Sequence, residues 1–139
     1  MRFRFRKAPW SEGGRMGLTI HYQFSFHGSE VQLLDKLKWL SVEFLKLPVS
    51  RVHEINDGRQ GYEFSVEVGP GCEWFTISLH QDEKDEWRGR GFIKTAFAND
   101  FKACHIAVIA MLDLCKQADI LDTVNDESTY WETRDLSVL

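Results

Sequence analysis

The sequence predicts an α+β fold, a two-layer sandwich in which a mainly antiparallel sheet of about four strands is packed on one face by two helices, in the order β-α-β-β-β-α. Three observations predict it. Residues Leu18 to His27 alternate apolar and polar, and two later stretches do the same, so each strand has one core side and one wet side. The 19 residues from Asp100 to Ala118 contain 13 apolar or alanine residues and neither glycine nor proline, which reads as a long buried helix. A capping-box pattern, Ser29 with Gln32, starts a second helix immediately after the first strand.

The elements follow in order. In the first strand Leu18, Ile20, Tyr22, Phe24 and Phe26 face one way, and Thr19, His21, Gln23, Ser25 and His27 the other. Gly28 breaks it. The first helix then runs to about Lys46, with Val31, Leu33, Leu34, Leu37, Leu40, Phe44 and Leu45 expected on its buried side, and Pro48 stops it. Val49 to Ile55 reads as a short second strand, and Asp57-Gly58 as a tight hairpin turn. The third strand, Tyr62 to Val68, turns Glu63, Ser65 and Glu67 outward. After Gly69-Pro70-Gly71 the fourth, Glu73 to His80, turns Phe75, Ile77 and Leu79 inward and Trp74, Thr76, Ser78 and His80 outward. Gln81 to Gly91 reads as a polar loop, with Phe92-Ile93 as an apolar anchor or a short strand before the central helix.

That helix places Phe101, Cys104, Val108, Met111 and Cys115 on one stripe, and further apolar residues widen it. Lys102, His105, Asp113 and Lys116 are its polar arc. So much apolar circumference requires a cover, either the C-terminal Tyr130-Trp131 segment or a second subunit. Its longest uncharged segment, Ala103 to Leu112, has ten residues and cannot span a membrane.

The chain has 139 residues. That suits one α+β domain over residues 16–139 preceded by a basic appendage over residues 1–15, with Met16 an alternative natural start to Met1. Arg2, Arg4, Arg6, Lys7 and Arg15 against Glu12 give the appendage +4, so the remaining residues carry −8 of the net −4. An acidic body disfavours nucleic-acid binding except through the N-terminal arm, because backbone phosphates dominate such affinity. Three cysteines, Cys72, Cys104 and Cys115, show no metal or redox spacing, and two lie on the apolar helix, which points to buried thiols in a reducing cytoplasm.

The residues able to carry chemistry gather on the sheet's polar face. His21, Gln23, Glu63, Glu67, Trp74 and His80 are candidate ligand-binding residues. His21, His27 and His80 are candidate ligands for a divalent metal, and no other cofactor is expected. Arg88 and Arg90 in WRGRGFIKT are further candidates, since arginine between glycines can close over a phosphate or carboxylate. Cys104 and His105 face different directions on a helix and make a poor catalytic pair. No catalytic signature is present, so the expected function is a small protein-binding or regulatory module, with a protein partner or self-association. The alternative is a small hydrolase or isomerase, metal-dependent or not, using the polar sheet face. The acidic, aromatic C-terminal run, with Asp122, Asp126, Glu127, Tyr130, Trp131 and Glu132, is expected to act as the helix's lid or as a partner surface.

Overall fold

The alternation read in β1 (Thr19–His27) is present in space: Ile20, Tyr22 and Phe24 are buried, while His21, Gln23 and His27 are exposed. A computed structural model describes residues 18–58 and 60–139. The basic arm expected over residues 1–15 and the Met16 start lie outside the described residues. The fold is α+β, with a mainly antiparallel sheet and three helices.

α1 (Glu30–Phe44) carries the expected capping box, in which Gln32 N–H donates to Ser29 Oγ and the Gln32 side chain returns to the Ser29 N–H. Its buried row is Leu33, Leu37, Leu40 and Phe44, at helical spacing. Val31 and Leu45, expected inside, are 69% and 65% exposed. With Val42 they lie about half a turn around the helix from the buried row, so the helix has a second apolar stripe facing out. Phe44 packs its ring against Phe64 and Phe75, which anchors α1 to the buried side of the sheet.

The sheet has seven strands rather than about four. Its order is β2 (Arg51–Val52), β4 (Gly61–Glu67), β5 (Phe75–Glu83), β6 (Glu86–Lys94), β1 and β7 (Leu121–Asp126), with β3 (Asn56–Asp57) also on β4; the pairings are antiparallel. The expected second strand, Val49 to Ile55, is an interrupted edge. Val52 pairs with Val66 and Asn56 with Glu63, so three residues, 53–55, oppose two, and the extra one makes a bulge.

The largest correction concerns Gln81 to Gly91, expected as a loop. β5 continues to Glu83, turns at Lys84-Asp85 with Asp85 at φ 62°, and returns as β6. Of the charges that suggested a loop, Lys84 and Asp85 make the turn, and Glu86, Arg88 and Arg90 take the outward positions of β6. The inward positions of β6 are Trp87, Gly89, Gly91 and Ile93, facing Phe26, Phe24, Tyr22 and Ile20 of β1. Glycine sits where the neighbours come closest: a Cβ at Gly89 would fall 1.6 Å from the Ser78 carbonyl oxygen, and one at Gly91 would touch the Tyr22 ring at 2.9–3.0 Å. Gly89→Ala therefore meets backbone that no rotamer change can clear. It should cost about 2 kcal/mol, read as a lower urea midpoint, whereas Gly58→Ala, whose nearest contact is 3.4 Å away, should be near neutral.

α2 (Phe101–Gln117) begins at Asp100, whose side chain accepts from Ala103 N–H at 3.1 Å. Cys104, Ala107, Val108, Met111, Leu112 and Cys115 are buried, as expected, and so is His105, a correction to its expected position on the polar arc. The chain after β7 folds back over the core: Tyr130 and Trp131 of α3 (Tyr130–Thr133) pack against it. Arg134 donates twice to Asp113 of α2, at 2.8 Å each, and lies 5.0 Å from the Trp131 ring centre. No described helix is long and apolar enough to cross a membrane.

Candidate functional site on the exposed sheet face

Two groupings of reactive side chains need separating, one buried and one open. In the buried one, α2 delivers His105, the end of β7 delivers Asp126, and the residue after β6 is Thr95. His105 Nδ1 lies 2.7 Å from Thr95 Oγ1, which also donates to the Leu18 carbonyl at 3.1 Å. His105 Nε2 lies 3.1 Å from both Asp126 oxygens and from Ser128 Oγ. Asp126 also accepts from the Ser128 N–H, the Ser128 hydroxyl and the Trp131 N–H at 2.8–2.9 Å. Burial pushes the Asp126 carboxyl up, but the bonds from His105, Ser128 and Trp131 outweigh it and hold the group below its usual 3.8.

The residue types are those of a catalytic triad, but the arrangement is not. Ser128 and Asp126 share one imidazole nitrogen, whereas a triad needs nucleophile and carboxylate on opposite nitrogens. Thr95 sits on the opposite nitrogen, yet Thr95 and His105 have no accessible surface for a substrate to reach. The cluster is an internal clamp that ties α2, β7 and the start of α3 together. The cysteines are equally unsuited to nucleophilic work. Burial raises the Cys72 thiol to about 12, with its Cys104 neighbour adding to the effect, and Cys104 and Cys115 are raised by burial too.

The open grouping is the sheet's polar face. Antiparallel register aligns its residues in rows. His21 lies between Phe92 and Asn125, Gln23 between Arg90 and Thr123, and Ser25 beside Arg88, which itself faces His80. Glu63 faces Ser78, and Ser65 bonds Thr76 at 2.7 Å. The sequence-derived candidates His21, Gln23, Glu63, Glu67, His80, Arg88 and Arg90 therefore share one face, with Trp74 just before β5, 52% exposed. They do not share one site. His21 and His27, six residues apart on one strand, are separated by about 20 Å, and β6 lies between β1 and the β5 that carries His80. Each of the first two has a carboxylate instead, Glu127 at 3.5 Å for His21 and Glu86 at 2.8 Å for His27. Among the described residues no three His, Cys, Asp or Glu side chains are grouped to hold a metal.

Two local assemblies stand out on this face. At the β2–β4–β5 end, His53 extends the register of β2, its N–H donating to the Ser65 carbonyl at 2.9 Å; its Nε2 meets Glu67 Oε2 at 2.5 Å and its ring stacks on Trp74 at 4.6 Å and 25°. A carboxylate that fixes one imidazole nitrogen leaves the other to exchange protons or bind a ligand. At the β6–β1–β7 end lies an open groove of about 610 Å³ lined by His21, Gln23, Arg90, Phe92, Thr123 and Asn125, together with the strand residues between them. Phe92 is 55% exposed, and its ring lies 5.9 Å from that of His21 at 35°. Arg88 is engaged by Asp82 at 3.3 Å, whereas Arg90 has no ion pair among the described residues.

His53, Phe92, Thr123 and Asn125 were missed as site residues. Phe92 could have been found, since Trp87, Ile93 and the glycines between them already alternate with Arg88, Arg90 and Phe92. His53 could have been found too, since alternation in the expected second strand puts it on the side of Arg51, opposite Val52. Comparison with protein-family models, curated proteins and solved structures found no match for the chain.

Proposed function

We propose that the protein is a small protein-binding or regulatory module, built as a two-layer sandwich whose helices cover one side of the sheet and whose other side is the recognition surface. The observation that carries this reading is the exposed row Phe92–His21–Asn125 beside Arg90–Gln23–Thr123. Exposed aromatic rings and an arginine with no ion pair among the described residues suit such a surface, since aromatic residues and arginine are enriched there. Around them the face is polar, which keeps it hydrated until a partner arrives. The buried His105–Asp126 cluster supplies rigidity to β7, one wall of the groove, and needs no role in chemistry.

A photo-cross-linking amino acid placed at Phe92 or at Val42 on the outer stripe of α1 tests the reading in native cells. Discrete adducts are expected from Phe92, and they should disappear on adding Arg90→Glu, a change at an exposed position that leaves the melting temperature unaltered. Adducts from Val42 with none from Phe92 would move recognition to the helix side.

A further inference from the structure

We propose that the groove over β6, β1 and β7 binds a nucleoside monophosphate, the base lying on Phe92 and His21 and the phosphate held by Arg90. This rests on the sheet face being the recognition surface: the nucleotide occupies the groove itself, as the regulatory ligand of the module, and a protein partner engages the face around it. Arg90 and Phe92 are two residues apart on β6 and point to the same side, so their anchor points are about 7 Å apart. A ribose separates base from phosphate by a comparable span.

Each end has its own chemistry. At one end the Phe92 and His21 rings form a tilted pair open to solvent, a platform on which any planar base can stack. At the other, Arg90 offers a planar fork that matches phosphate oxygens, and Arg88 follows on the same face. Gln23 and Thr123 lie in Arg90's row, and Asn125 lies in the aromatic row, where an amide can meet a base edge. Glu127, 3.5 Å from His21, places negative charge at the aromatic end and so directs the phosphate towards Arg90. β7 bulges at the groove's rim, where the pairing shifts between Gln23–Thr123 and Phe24–Leu121, and a bulge bends the strand and adds twist. A body carrying −8 outside its first 15 residues offers no continuous basic track for a nucleic-acid strand, so the phosphate interaction is confined to the local charge of Arg90.

The test is an amide-resolved NMR titration of the full chain with AMP, GMP, CMP and UMP in turn. Adenosine, ribose 5-phosphate, inorganic phosphate and a short single-stranded oligonucleotide serve as comparison probes. At least one monophosphate should give saturable shifts centred on residues 21–23, 90–92 and 123–125. Adenosine, ribose 5-phosphate and inorganic phosphate should each bind about tenfold more weakly or worse, and Arg90→Ala and Phe92→Ala should each weaken the monophosphate by about tenfold. Both replaced side chains are exposed, so the variants should melt as the parent does. The proposal is overturned by the absence of saturation with every monophosphate at ~10 mM, by binding that survives both substitutions, by inorganic phosphate binding as tightly as the nucleotide, or by binding to the oligonucleotide alone. If nucleotides fail while the Phe92 cross-link persists, the nucleotide site falls and the recognition face stands. If both fail, both fall.

Discussion

Asp126→Ala should lower the stability by about 4 kcal/mol, because it leaves buried donors without their acceptor. The carboxylate collects four donors, from His105 Nε2, the Ser128 N–H, the Ser128 hydroxyl and the Trp131 N–H. Water has no route to replace it, since the side chains of Asp126 and His105 have no accessible surface. Asp126→Asn keeps one acceptor but turns an amide donor towards other donors, so it should fall between parent and alanine. The pH dependence has a definite sign. The folded carboxyl titrates below its ordinary 3.8, so the unfolded chain takes up the proton first and acid favours unfolding. This contribution is complete above 3.8 and is lost as the pH falls from there through the folded value. Urea midpoints measured across the acid range should drop in the parent and drop less steeply in Asp126→Ala. An Asp126→Ala midpoint equal to the parent's at neutral pH would show that the cluster is not the clamp described.

Ending the chain before Tyr130 should be comparably damaging, by about 4 kcal/mol from lost apolar cover and lost hydrogen bonds. Tyr130 and Trp131 pack on the core, the Tyr130 ring meets His105 edge-on at 6.3 Å, and the Trp131 N–H bonds Asp126. The Arg134–Asp113 pair is also lost, but both partners are roughly half exposed, so it contributes little. A control separates the two effects: Arg134→Ala alone should shift the thermal midpoint only slightly. A truncated chain as stable as the parent would mean that the segment covers nothing.

These two predictions show what the residues could and could not disclose. The need for a cover over α2 was legible, because a helix apolar around most of its circumference cannot face water; that Tyr130 and Trp131 pack on the core, with a second subunit the other candidate, took the structure to show. β1, α1, β4, β5 and α2 were legible for the same reason, since each carries a strong period of two or of about 3.6. β6 was not, because its inward positions include Gly89 and Gly91. An alternation of charge with glycine looks like a loop until the Ser78 backbone and the Tyr22 ring are seen to fill the space at Gly89 and Gly91. Apolarity alone puts Val31 and Leu45 inside, but the buried row is Leu33–Leu37–Leu40–Phe44. His105 was put on the polar arc because its partners, Thr95, Asp126 and Ser128, lie 10 to 23 residues away in sequence. The polar face itself was readable strand by strand. Which residues meet across it depended on strand order, and that order keeps His21, His27 and His80 apart while joining His21 to Phe92 and His53 to Glu67.

The four histidines outside the core, His21, His27, His53 and His80, are all carried by the polar sheet face or its edge, and the fifth, His105, is buried. Histidine carbethoxylation therefore reports on that face. The most direct measurement compares the labelling of each histidine in the purified protein with that in native cells, with Lys38 on the exposed side of α1 as reference. Recognition through the sheet face predicts that His21, and His80 beside Arg88, react readily in the purified protein and are protected in cells, while Lys38 reacts equally in both. Equal labelling of His21 and His80 in both settings, with protection at Lys38 instead, would contradict it.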